Sequence, residues 1–332
     1  MLGPESISFL IDHPRQLQIL GLTPMDPTAQ IPIFIKIDTG YHRAGITSQS
    51  EQFKCLLGAI QDSQNQSSTQ SIKLAGFYSH FGSSYGVSSP IEALAYLAEE
   101  VDKTAAAAEQ ASAMGFGNTR FTLSVGATPT ASSARALLLE SPEAAKVKQL
   151  FTRVQLSHDI ELHGGVYPLR DLQQLATYSK QSDNPNNPTM STSDIGIRIL
   201  AEVLSLYSDR EKPEALIGAG TLALGREPCK NYSGWAIVAP TPWQEPAVGT
   251  FYDENGRTGW ILDRISQEHG ILTWEGPRSK IRDLNIGEKL LLWPNHACVA
   301  GAGFDWYLVV DSDLEDIKSN VIIDVWVRCR GW

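Results

Sequence analysis

Near the carboxyl end of the chain, residues 290–303 read LLLWPNHACVAGAG, with His296 and Cys298 one residue apart just after an apolar run that Pro294 stops. The run has the composition of a buried strand, and proline ends it by removing a ladder donor. If the backbone stays extended, residues i and i+2 share a face, so the imidazole and the thiol point the same way. A nitrogen and a soft sulfur donor together suit zinc. A closed structural zinc site takes four protein ligands, so two would leave positions for water or substrate, as catalysis requires. The same short pattern also fits an inert buried cysteine beside a histidine bonded to backbone, and taken alone these residues favour that plainer reading.

The elements that must position this pair, and the polar residues upstream of it, follow from periodicity. Short apolar runs at 7–11, 31–38, 73–80, 120–125 and 159–163 alternate with helical stretches, the pattern of a parallel α/β sheet or barrel. Ser48 and Glu51 fit a capping box before Phe53, Leu56, Leu57 and Ile60; Ser89, Pro90 and Glu92 fit one before Ile91, Leu94, Leu97 and Val101. Gly76, Tyr78 and His80 fall on one strand face by alternation. Polar residues follow nearly every strand: Asp38 and Arg43, His80 and Tyr85, Thr128, Tyr167. In α/β barrels the site lies at the carboxyl ends of the strands, which this punctuation matches. Polar strand-to-helix loops alone would account for about half of it. A possible sixth strand lies at 195–205 and a further apolar stretch at 215–224. From Lys230 onward helical periodicity fades and tryptophan-rich alternating runs take over, an all-β pattern. The expected organisation is an α/β barrel over 1–229 and a β domain over 230–332 that carries His296 and Cys298. Two polar runs, 61–71 and 181–194, read as loose insertions.

Composition narrows the partners. At 332 residues with a net charge of −10, the chain would be repelled by phosphate backbones and anionic membranes, so neither is an expected partner. No apolar run approaches the ~20 residues that cross a bilayer. Four scattered cysteines do not make a disulfide framework and favour a reducing compartment. The opening MLGPESISFLIDHP has no basic segment followed by a long apolar core, so a cytoplasmic location is expected.

Read together, IFIKIDTGYHRAG, LAGFYSHFGSSYG, SVGATPT, ELHGGVYPLRDLQQLAT, SQEHG and PNHACVAGAG resemble, in order and across nearly the whole chain, the eukaryotic D-serine dehydratase family. That family groups with alanine racemase and D-threonine aldolase among pyridoxal-phosphate enzymes built from a TIM-like barrel and a β domain. The resemblance implies pyridoxal 5'-phosphate and zinc as cofactors, a homodimer, and elimination of water from D-serine to give pyruvate and ammonia. It places Tyr78 and Tyr85 beside the cofactor, Thr128 in contact with it, and Gly165 and Val166 at its phosphate. Gly164 departs from the proline usual there and loosens that turn. Arg43 matches a position near the cofactor's phenolic oxygen, with Lys36 preceding it as in alanine racemases. His296 and Cys298 match the zinc pair. D-Threonine aldolases carry a carboxylate in place of Cys298, a donor that suits manganese or magnesium. The resemblance also implies that the family's Schiff-base lysine and first two barrel strands lie upstream of residues 7–11. No lysine of this chain then takes that role, no catalytic residue is assigned, and little activity is expected of the chain as it stands. The alternatives are a D-threonine aldolase-like or other D-amino-acid enzyme, or a non-catalytic zinc- or cofactor-binding relative.

Overall fold

Apolar runs too short for a helix and rich in isoleucine, leucine and phenylalanine become strands in the computed structural model. It describes residues 7–21, 30–65, 72–138, 141–178, 190–239, 252–253, 257–311 and 321–329. The chain divides into two units, Met1–Gly165 and Val166–Trp332. In the first, the order is β1 (Phe9–Ile11), α1 (Pro14–Gly21), β2 (Ile31–Lys36), α2 (Glu51–Asn65), β3 (Ile72–Tyr78), α3 (Pro90–Ala111), β4 (Thr122–Val125), α4 (Thr128–Ser133), α5 (Pro142–Gln155) and β5 (Asp159–Leu162). The strands form one sheet in the order β1-β2-β3-β4-β5, parallel throughout. It is the incomplete α/β barrel that the sequence leads one to expect.

The helical stripes supply its cover. Phe53, Leu56, Leu57 and Ile60 of α2 are fully buried and join Ile33 and Ile35 of β2 and Phe77 of β3 in one core. Leu94, Leu97 and Val101 of α3 join the same core, while Ile91 is only half-buried. Ser89 caps α3 as expected, accepting the Glu92 N–H at 3.1 Å while Glu92 accepts the Ser88 N–H at 2.9 Å. The cap of α2 is Ser50 rather than Ser48: its hydroxyl accepts the Phe53 N–H at 3.1 Å.

In the second unit α6 (Leu172–Tyr178) precedes β6 (Ile199–Tyr207), β7 (Glu214–Ile217), α7 (Thr221–Leu224), β8 (Ala236–Ala239), β9 (Gly259–Ile265), β10 (Gly270–Glu275), β11 (Lys289–Pro294), α8 (Ala297–Ala302), β12 (Trp306–Val310) and β13 (Ile322–Val327). Six strands close an antiparallel barrel in the order β10-β7-β6-β11-β8-β9, and β12 pairs with β13 as a separate ribbon. Ile199, Ala201 and Val203 alternate inward on β6 and meet Ala215, Ile217, Leu262, Leu272, Leu290 and Leu292 in its core. The closure is uneven: β9 and β10 share six register pairs, while among the described residues β8 and β9 share Ile237 with Ile261, beside which the Trp235 N–H donates to Leu262 O at 2.8 Å.

The stretch read as a possible sixth strand of the parallel sheet is therefore β6, paired antiparallel to β7 and β11. The change of pattern at Lys230 falls inside the second unit, and residues 166–229 go with the β region. A strand run shows its buried face but not its neighbour, which explains the difference. Of the two polar insertions, α2 extends through the start of the first to Asn65. Residues 66–71, and most of the second insertion, lie outside the described residues.

Candidate functional site

Within the first unit, the carboxyl ends of β2 to β5 gather ionisable and aromatic side chains. The loop after β2 folds back on itself, with Asp38 N–H bonded to Ile46 O and Ile46 N–H to Lys36 O, each at 3.0 Å. Only glycine suits position 45, where φ is +105° and a Cβ would lie 2.9 Å from Asp38 N. Lys36 is 9% exposed. Burial, then the positive charge of Arg43, lowers its pKa to about 8. Its Nζ lies 4.2 Å from the centre of the Tyr78 ring.

Tyr78 in turn stacks on His163, centroids 4.4 Å apart and planes 4° from parallel, and His80 lies 6.2 Å from His163 at 11°. The shared face expected of Tyr78 and His80 is thus seen in a common partner. Burial, followed by the charges of Arg43 and Lys36, pushes His80 down to about 4; burial, then Lys36, lowers His163. Both imidazoles are neutral at neutral pH.

The tautomer of His163 follows from its neighbours. Ser124 donates its proton to Glu161 Oε1 at 2.6 Å, so its oxygen accepts from His163 Nδ1–H at 3.1 Å. The lone pair of the ring is left on Nε2, which is buried and has no hydrogen-bond partner among the described residues. A buried acceptor without a donor costs about 1–3 kcal/mol, so this atom calls for one. His163 sits against the turn that follows β4, since a Cβ at Gly126 (φ +135°) would lie 2.5 Å from His163 O. Beyond it a Cβ at Gly164 would stand 3.4 Å from Thr128 Cα and 3.5 Å from Thr128 Oγ1. The structure therefore brings Tyr78, His163, Gly164 and Thr128 into one contiguous set. Thr128 opens α4, whose N-cap is Ala127. Tyr85 is half-buried in the 3₁₀ turn Gly82–Gly86, Gly165 is exposed, and Val166 is buried in the second unit against Ile197 and Ala297.

Beneath these groups Glu100 of α3 is fully buried. It accepts from Ser79 Oγ at 3.0 Å, and Ser79 accepts from Thr39 Oγ1 at 2.7 Å. Burial raises its pKa from 4.5 to about 7 against the opposing pull of Ser79 and the N–H groups of Gly126 and Phe81. The folded protein thus holds a proton that the unfolded chain releases, and stability falls as pH rises from 4.5 through 7. Glu100→Gln should remove that slope, so the Tm of the variant should gain on that of the parent across this window. A difference in Tm that stays constant from pH 4.5 to 8 would refute the buried-carboxyl assignment.

In the second unit the backbone departs from the extended course expected after Pro294. His296 keeps φ −136° and ψ 111° as the N-cap of α8, but Cys298 already lies in the helix. The i, i+2 alternation that would align imidazole and thiol does not apply there. Asp171, fully buried, accepts the Ala297 N–H at 2.8 Å through Oδ2 and the Gln174 N–H at 3.0 Å through Oδ1, so one carboxylate ties the starts of α8 and α6 together. Burial raises the Asp171 carboxyl against those bonds, and burial, then Asp171, raises the Cys298 thiol. Among the described residues no three histidine, cysteine, aspartate or glutamate side chains form a group able to hold a metal.

His163, Ser124, Glu161, Glu100 and Asp171 did not stand out in the sequence. Glu161 and His163 share a face of β5 by alternation, a signal that was there to be read.

Two families match the chain, the alanine racemase N-terminal domain over residues 3–147 and the serine dehydratase domain over 196–310. A D-serine dehydratase of Schizosaccharomyces pombe is 35% identical over 98% of this chain and 68% of its own length. A D-serine dehydratase of Saccharomyces cerevisiae is 32% identical over 90% and 63%. The chain thus spans about two thirds of the length of these curated relatives. The crystal structure of D-threo-3-hydroxyaspartate dehydratase from Delftia sp. HT23 superposes with a TM-score of 0.66 at 23% identity, over 97% of this chain and 72% of that one.

Proposed function

The chain belongs to the eukaryotic D-serine dehydratase family, and from that premise we propose that it acts as a pyridoxal-phosphate- and zinc-dependent D-serine dehydratase. The observation that carries this reading is the Tyr78–His163 stack, joined through Gly164 to Thr128 at the carboxyl ends of parallel strands. The residues fit the cofactor: a lone pair on His163 that lacks a donor, a glycine pair with no side chain of its own to cover its backbone, and the positive charges of Lys36 and Arg43 nearby. Tyr78 and Tyr85 would flank its ring, Thr128 would contact it, and the backbone N–H groups at Gly165 and Val166 would hold its phosphate. Bound there, the cofactor supplies an electron sink for the pair left when the substrate's α-proton departs.

His296 and Cys298 are the proposed metal donors, and an imidazole with a thiolate fits zinc. Zinc supplies stabilisation of negative charge on oxygen, the demand of a departing hydroxide. The homodimer and the cytoplasmic location expected from the sequence are proposed with this function.

The protein supplied with pyridoxal phosphate and zinc, assayed for pyruvate from D-serine, tests the proposal. Pyruvate with ammonia is the expected result in a form that also carries the Schiff-base lysine the resemblance implies, with little of either from the 332 residues alone. Glycine plus an aldehyde from D-threonine would assign an aldolase instead, and loss of optical rotation alone a racemase. Bound cofactor and zinc without turnover of any D-amino acid, even in the form that carries the lysine, would make the chain a binding relative.

A further inference from the structure

Gln173, on the first turn of α6, bridges two groups through the two ends of one amide. Its Nε2 donates to Pro228 O at 2.8 Å, and its Oε1 lies 2.7 Å from His296 Nδ1. A carbonyl oxygen only accepts, so the end facing Pro228 must be the NH₂, and the end facing His296 must be the oxygen. An amide oxygen also only accepts. His296 Nδ1 therefore carries the proton, and in the neutral ring the lone pair sits on Nε2. The backbone on both sides of the ring is pinned as well: Asn295 O accepts the Gln173 N–H at 3.2 Å, the Asn295 amide donates to Glu227 O at 2.9 Å and Gly234 O at 3.0 Å, and Ala297 N–H is held by Asp171.

We propose that Gln173 is the positioning residue that fixes the tautomer of His296 and so makes Nε2 the nitrogen offered to a metal. This rests on the metal pair proposed above only for the metal's identity; the tautomer stands on the hydrogen bonds. A histidine ligand generally donates its other ring N–H to such a partner, and loss of that partner weakens metal binding about 10–100-fold. Gln173 is 9% exposed, so water does not readily replace its oxygen.

Two readouts separate the parts. In metal-free protein at pH 8, ¹H–¹⁵N correlation spectra of the His296 ring should show the Nδ1–H form. Gln173→Leu should show the Nε2–H form or a mixture, and a competing chelator should report zinc binding weakened about 10–100-fold. Gln173→Glu, which keeps an acceptor at Nδ1, should keep the tautomer and bind zinc more tightly than Gln173→Leu, which controls for any general damage to α6. An Nε2–H ring in the parent protein, or an unchanged tautomer in Gln173→Leu, overturns the role of Gln173. A parent protein that binds no zinc but shows the Nδ1–H ring overturns the metal assignment and leaves Gln173 standing.

Discussion

Gly76→Ala should leave no folded protein in the soluble fraction. A Cβ at this position would stand 1.9 Å from Thr122 O, 2.8 Å from Thr122 C and 2.9 Å from Phe34 Cε1. Gly76 is in register with both Phe34 on β2 and Thr122 on β4, so the obstruction is sheet backbone and not the tip of a flexible side chain. Relief requires β4 to move away by more than an ångström, which would pull Leu123 out of the core it shares with Phe77. Clashes of this kind belong to the class costing more than about 4 kcal/mol, comparable with the whole stability of many domains. Gly58→Ala is the control: it lies inside α2 with nothing within 4 Å of the added methyl, and it should raise stability by about 0.5–1 kcal/mol. Circular dichroism and thermal melts of the two variants decide the matter. A Gly76→Ala protein that melts within a few degrees of the parent would mean that β3 and β4 are not paired as described.

Cys298→Ala should abolish zinc binding and, in a form that carries the Schiff-base lysine, lower pyruvate production from D-serine by more than about 100-fold. Loss of a residue that only supports a ligand costs about 10–100-fold, and removal of a direct donor should exceed that. Cys298→Asp makes a sharper comparison. It replaces sulfur with oxygen, so preference should move from zinc toward manganese or magnesium. Metal analysis of the purified variants reads this directly. Zinc content that persists in Cys298→Ala would show that the metal site lies elsewhere.

The strands of the first unit were legible because a parallel sheet buries both faces, and runs such as that at 31–38 stand out against polar flanks. The stripe on α2 and the Ser89 cap were legible because each is a local pattern. Partnership was not. β6 alternates buried and exposed positions, the mark of a strand wet on one side, yet its pairing with β11 joins residues nearly ninety positions apart. The helix at Cys298 is not legible because α8, with the sequence ACVAGA, is too short and too rich in small residues to show a period, which left the extended course as the condition for aligning His296 with Cys298. His163 reads in the sequence only as the last residue of the 159–163 run, because its stacking partner, Tyr78, and its tautomer-setting partner, Ser124, come from other strands. Gln173 was invisible for the same reason: its meaning lies in a carbonyl and a histidine brought to it by the fold.

The uneven closure of the antiparallel barrel has a consequence for how this unit could come undone. Among the described residues β8 meets β9 through the Ile237–Ile261 pair and the Trp235 N–H to Leu262 O bond, whereas every other seam of the ring carries four or more register pairs. If the ring breathes, it unlatches there, and parting those few links would uncurl six strands into a ribbon with two bare margins. Unpaired margins recruit strands from other chains, so clumping of this protein under mild warming should begin at β8 and β9, well before the core of the barrel has melted.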